Sequence, residues 1–154
     1  MNHWLMKSEP DVFGFPHLLA APDQTTAWEG VRNYTARNYM RDSMKPGDKV
    51  LFYHSSTKIP GVAGLARVAS DAYADPSQFD ENGDYFDPKS TPENPRWMLV
   101  NVQAVSVLEF VPLEKMRQDP KLEGMMLLQR GSRLSIQPVS APHFKHILKL
   151  GGTK

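Results

Sequence analysis

From Trp97 to Val111 apolar and polar side chains take turns, with Met98, Val100, Val102 and Ala104 on one face and Asn101 and Gln103 on the other. A period of two is the signature of an extended strand with one side against a core. Lys49 to Ser55 and Val62 to Ala69 are also rich in β-branched and aromatic residues, and a loop through Pro60-Gly61 joins them. Helical stretches are short and do not alternate regularly with these strands. The pattern predicts an α+β fold, a curved β-sheet or small β-barrel flanked by short helices.

The remaining segments fit around that sheet. His3 to Lys7 is a short opening strand, and Ser8-Glu9-Pro10-Asp11 has the S-x-x-[DE] form of a helix start. Gly14 and Pro16 limit the helix there to a turn, renewed through Phe15 to Ala20. Asn33 is an N-cap for a helix to about Ser43, with Ala36, Met40 and Met44 at apolar spacing. Lys45-Pro46-Gly47-Asp48 is a tight turn. Asp75 to Arg96 carries Pro76, Pro88, Pro92 and Pro95 and reads as an ordered excursion rather than an element. Leu113 to Gln118 and Gly124 to Leu128 read as short helices, and Arg133 to Pro138 as a brief alternating strand. Ser140 caps a closing helix with Phe144, Ile147 and Leu148 on its buried face and Gly151 at its end.

At 154 residues the chain suits one domain, 1–154, with a core that needs no staples. Without cysteine there is no disulfide, thiolate nucleophile or cysteine-based zinc site. The five histidines are scattered, so no metal is expected, and no cofactor motif appears. No run approaches the roughly 18 apolar residues of a membrane span, and Met1 to Pro10 lacks a signal-peptide pattern; we expect a cytoplasmic protein with no membrane partner. The net charge of +1 hides a segregated distribution. Leu128 to Lys154 holds Arg130, Arg133, Lys145, Lys149 and Lys154 with no acid, whereas Asp71 to Asp87 holds only acids. Such segregation creates a local anion-attracting field or is simply solvated charge.

Function points to W-E-G-V-R-N-Y-T-A-R-N, Trp28 to Asn38. An indole, a turn glycine and two arginines beside a helix start suit a flat, polar, anionic ligand such as a nucleobase on its phosphate backbone. Trp28 is the expected stacking platform, because its flanks lack core periodicity; the competing reading is a buried packing indole. For Trp4 and Trp97, inside strands, the core reading is favoured. Arg32 and Arg37 would approach phosphate or serve as ion-pair partners. The amides at Lys7-Ser8 face a helix start. Tyr53, His54 and Ser55 end a strand near the expected pocket mouth, with Phe52 in the core. Arg133, Ser135 and Gln137 share one strand face and would line the pocket.

Taken together, W-L-M-K-S-E-P-D at Trp4 to Asp11, the Trp28 to Asn38 stretch, G-D-K-V-L-F-Y-H-S at Gly47 to Ser55, Y-F-D-P-K-S at Tyr85 to Ser90, P-R-W at Pro95 to Trp97 and R-L-S-I-Q-P-V at Arg133 to Val139 resemble the EVE domain of the PUA-like superfamily. The resemblance runs in order over nearly the whole chain and covers both the bacterial form and the core of larger eukaryotic members. It implies a PUA-like β-barrel with a central pocket. EVE domains are related to YTH domains, which read N6-methyladenine in RNA through an aromatic cage, and to ASCH domains. The Trp28 position resembles a YTH cage tryptophan, and Lys7-Ser8 a pair lining the YTH pocket. Eukaryotic EVE proteins are linked to modified cytosine in DNA, and bacterial ones often accompany restriction-type systems. The YTH cage loop has no counterpart in Asp75 to Arg96, so a methyl-specific cage does not carry over.

No G-x-S-x-G elbow, Walker loop or dinucleotide fingerprint appears, and adjacent His54 and Ser55 point to opposite strand faces. The expectation is a non-catalytic module that recognises a modified base, cytosine or adenine, in DNA or RNA; alternatives are a small RNA-binding PUA/ASCH-like protein and a nucleotide-processing enzyme. Stacking worth about 1–3 kcal/mol per base barely offsets base extrusion from a duplex, so the expected affinity is micromolar or weaker with a shallow salt dependence. Trp28→Ala is expected to abolish base binding with little change in melting temperature.

Overall fold

The structure, a computed structural model, describes residues 1–152; Lys154, the last cation of the basic run, lies outside the described residues. Strand β1 (His3–Ser8) leads into helices α1 (Pro10–Phe13) and α2 (Phe15–Ala20), then β2 (Thr25–Ala27) and α3 (Tyr34–Asn38). Strands β3 (Lys49–His54) and β4 (Gly61–Val68) follow, then the two-residue β5 (Tyr73–Ala74) and β6 (Met98–Leu99). The long β7 (Asn101–Pro112), α4 (Leu113–Arg117), β8 (Ile136–Val139) and α5 (Ala141–Leu150) complete the chain.

Six strands form one sheet in the order β2-β7-β4-β3-β1-β8, antiparallel except for β1 on β3. Register shifts between Phe52 and Tyr53, Val62 and Gly64, and Leu65 and Ala66 interrupt the central pairings. Each extra residue bends its strand and steepens the twist, which curls the sheet. Phe15 packs where a Cβ at Gly64 would stand, so the bulged strand also admits a helix side chain at close range. The α+β expectation holds, with the sheet curled as a half-barrel.

Both faces of the sheet are buried. Trp4, Met6, Val50, Phe52, Val100 and Val102 pack with Phe15, Leu18, Trp28 and Met40 on one side. Leu5, Leu51, Tyr53, Leu108 and Val111 pack with Met116, Phe144 and Ile147 on the other. That is why W-L-M and V-L-F-Y are continuous apolar runs: alternate residues serve opposite cores. Each large side chain so buried contributes roughly 1.5–3 kcal/mol. Trp4 is core, as expected, and its indole N–H donates to Asp48 Oδ2 at 3.0 Å.

Helix caps follow the sequence closely in two places. Asn33 Oδ1 accepts from the Ala36 amide at 3.0 Å, and Ser140 Oγ from the His143 amide at 3.3 Å. The helix after Asn33 changes character, however: α3 ends at Asn38 and a π turn spans Tyr39–Ser43, keeping Ala36, Met40 and Met44 buried. The capping box expected at Ser8 does not form. Glu9 is the N-cap, and Ser8 Oγ instead donates to the Phe13 carbonyl at 2.7 Å. The strand expected from Trp97 divides at Val100, with β6 pairing β5 and β7 joining the main sheet. The expected excursion is ordered: buried Gln78 accepts from the Arg96 and Trp97 amides and donates to the Asp75 and Trp97 carbonyls.

Candidate functional site

Strand β2 stands at one end of the sheet order and β1-β8 at the other, yet residues from both ends line one cavity of about 690 Å³. Thr26 and Ala27 come from β2, Lys7 and Ser8 from β1, and Ser135 from the turn before β8. Among the described residues no hydrogen-bonded pairing joins β2 to β8, so the cavity occupies the seam of an unclosed barrel. Trp28, Val31, Val12 and Phe13 supply apolar walls, and Glu9, Glu29 and Asp84 supply carboxylates. The volume suits a nucleotide-sized ligand.

One wall is held from a distance. The fully buried Asp75 accepts from the Gly30 amide at 2.8 Å and pairs with Arg32 at 3.2 Å, and its other oxygen accepts from the Ser77 amide and hydroxyl. Arg32 also donates to the Tyr85 carbonyl at 2.7 Å and lies over the rings of Tyr85 and Trp97. Tyr85 covers Gly30 so closely that a Cβ there would stand 2.6 Å from its ring, and Gly30 has a φ of +86°. Trp97, expected as core, is buried under Tyr34 and donates its indole N–H to Asp87 Oδ2 at 2.8 Å. Asp75 and Asp87 of the acidic run thus act as scaffold.

The expected residues divide. Lys7, Ser8, Trp28, Arg32 and Ser135 meet at the cavity. Trp28 is not an open platform: it is 8% exposed and sits edge-on to Phe52, so it forms a wall while belonging to the core. Arg32 is committed to Asp75, Ser77 and Tyr85 rather than free for phosphate. Arg37 lies outside the cavity, bound to the Arg96 carbonyl and to Asn38 and stacked over Tyr34. His54 and Ser55 are also absent from it. The Ser55 amide donates to the Ser8 carbonyl, and His54 Nε2 accepts from the Phe15 amide at 3.0 Å.

Arg133, Ser135 and Gln137 do not act together, because β8 begins only at Ile136. Gln137 is buried and donates to Ser132 Oγ and the Leu134 carbonyl. Arg133 and Tyr53 line a second cavity, of about 460 Å³, that shares Lys7 with the first. Lys7 extends over the Tyr53 ring, its pKa pushed down by burial, while burial pushes the Tyr53 phenol up. Sequence reasoning missed Tyr85, Glu29, Val31 and Phe13 as lining residues. Tyr85 stood in the quoted Y-F-D-P-K-S stretch, but nothing local pointed it across to Gly30.

His54 ties stability to pH. Burial holds its imidazole below the usual histidine pKa, and nearby His17 acts in the same direction. The unfolded chain therefore takes up the proton more readily, and protonated Nε2 no longer accepts from Phe15. This contribution is complete above the ordinary histidine value of about 6.5 and is lost as pH falls through the lower folded value. Denaturant midpoints between pH 7.5 and 5 should fall more steeply for the wild type than for His54→Gln. Equal slopes would remove His54 from the acid-sensitive set.

The EVE domain family profile matches residues 2–150. Human thymocyte nuclear protein 1 is 42% identical over 167 residues, spanning 97% of this chain and 73% of that protein. A hypothetical protein from Leishmania major superposes with a TM-score of 0.91 at 44% identity, covering 99% of this chain and 95% of its own. The human THYN1 protein in complex with 5-methylcytosine-containing DNA superposes with a TM-score of 0.92 at 41% identity, covering 100% of this chain and 99% of the other.

Proposed function

The chain belongs to the EVE domain family, and we propose that it is a non-catalytic module that binds nucleic acid by admitting a modified base to the cavity beside Trp28. Residues 1–154 act as one domain in this reading. The observation that carries it is the composition of the barrel seam: Trp28, Val31 and Phe13 wall the space that a planar ring would enter, and Glu29, Glu9 and Asp84 offer acceptors. A carboxylate matches the exocyclic amine of cytosine or adenine, and apolar walls accommodate an added methyl group. Human THYN1, similar over the full chain, has been solved with DNA carrying 5-methylcytosine, which favours modified cytosine in DNA here. The commitment of His54 to the Phe15 amide supports binding rather than catalysis. Among the described residues no helix is long and apolar enough to cross a membrane.

Titration of the protein with 5-methyl-2′-deoxycytidine, N6-methyladenosine and their unmodified counterparts, followed by the same bases in single-stranded DNA and RNA, tests the reading. A modified nucleoside should bind in the micromolar range or weaker, and at least as well unpaired as in a duplex. Tight, salt-insensitive binding to unmodified duplex would exclude base admission. A new product in the mass spectrum would replace the reader with an enzyme.

A further inference from the structure

The second cavity differs from the first in charge. Lys7, Arg117, Arg130 and Arg133 line it, and no aspartate or glutamate does. None of these four cations forms an ion pair or a side-chain hydrogen bond among the described residues. Four like charges line one concave surface with no acid among them, which favours a bound anion there. Guanidinium forks match phosphate oxygens in shape and number of donors. Ser132 adds a hydroxyl: its oxygen accepts from buried Gln137 at 2.9 Å, which fixes the side chain and leaves its proton free to be donated. Lys7 lines both cavities, so an anion held here lies immediately beside a ligand in the barrel seam.

We propose that this cavity holds the phosphate flanking the base admitted beside Trp28, with Lys7 spanning the two subsites and Arg117, Arg130 and Arg133 neutralising the phosphodiester. The assignment rests on the base-binding reading above and adds a strand-binding subsite to it. A nucleotide carries its phosphate one sugar away from its base, as two adjoining cavities with a shared lysine require. Because the walls of the base cavity contain three carboxylates, the backbone is directed away from it and toward the cationic side. The basic run in the sequence acquires a partial role, since Arg130 and Arg133 belong to the subsite.

The test compares 5-methyl-2′-deoxycytidine with its 3′- and 5′-monophosphates, titrated into the full chain and into Arg117→Gln/Arg130→Gln. Both substitutions are on exposed side chains. One monophosphate should bind at least about tenfold more tightly than the nucleoside, and the variant should reduce that gain to about threefold or less. Nucleoside affinity should be the same in both proteins. If the nucleoside binds but phosphate adds nothing, or adds equally in the variant, the phosphate subsite is overturned and base binding stands. If neither nucleoside nor nucleotide binds while inorganic phosphate still shifts the amide resonances of residues 130–133, base binding itself has failed and the pairing of the cavities falls with it. A phosphoserine peptide binding more tightly than the nucleotide, through the same arginines, likewise overturns the assignment to a nucleic-acid strand.

Discussion

Trp28→Ala should destabilise the fold by about 3–5 kcal/mol and eliminate base binding in the same variant. The ring is 8% exposed, meets Phe52 edge-on at 5.5 Å and belongs to the same buried cluster as Trp4 and Met40. Removing it leaves a void that a curled sheet, pinned on both faces, fills poorly. The flanking residues Ala27, Glu29 and Gly30 carry no core periodicity, which is why the sequence alone predicts an exposed ring and an unchanged melting temperature. The ring enters the core from the end of an edge strand, where periodicity has stopped. Equilibrium denaturation of the variant decides the matter. A midpoint equal to the wild type would return Trp28 to the role of an open platform. Trp28→Phe keeps an aromatic in the core, so it should cost less stability while still weakening binding through the smaller wall.

The contrast between Trp28 and its neighbours shows what a linear reading can carry. Asn33 and Ser140 act on amides three residues away, and both caps form where their residue types predict them. The β3-β4 hairpin joins strands adjacent in sequence, and its bounds agree with the β-branched runs to within a residue or two. The parallel pairing of β1 with β3 and the seam between the ends of the sheet depend on partners distant in sequence, so no local pattern announces them. The same holds for the site. Residue type and resemblance point to Lys7, Ser8, Trp28, Arg32 and Ser135, and the cavity gathers them. The same grounds point to Arg37, His54 and Ser55, but each is drawn to a partner that only the fold supplies. Asp75 is invisible as an organiser because every donor its carboxylate collects beyond Ser77 is more than forty residues away, at Gly30 and Arg32.

Arg32→Ala should cost about 3 kcal/mol of stability, the effect of stranding a buried charge rather than of losing a phosphate contact. Asp75 is fully buried, and with Arg32 gone its carboxylate keeps the Gly30 and Ser77 donors but no cation. The Arg32 side chain is 23% exposed, which puts the effect at the lower end of the range for broken buried pairs. Tyr85 loses the bonds to its carbonyl and the cation above its ring, so the cavity wall over Gly30 loosens and affinity falls as a consequence. Adding Asp75→Asn to Arg32→Ala removes the stranded charge but turns one amide donor toward the Gly30 or Ser77 amide, so the double variant should lose less than the sum of the two single losses, the coupling expected of residues in contact. Arg32→Lys retains the charge but not the fork that reaches Asp75, Ser77 and Tyr85 together, so it should fall between wild type and alanine. A phosphate-binding arginine would give the opposite pattern. Its removal would leave the denaturant midpoint in place and reduce the slope of log affinity against log salt by about 0.7–0.9. An unchanged midpoint in Arg32→Ala, together with that smaller slope, would return Arg32 to the nucleic-acid interface and leave the wall around Gly30 to be held by Asp75 and Tyr85 alone.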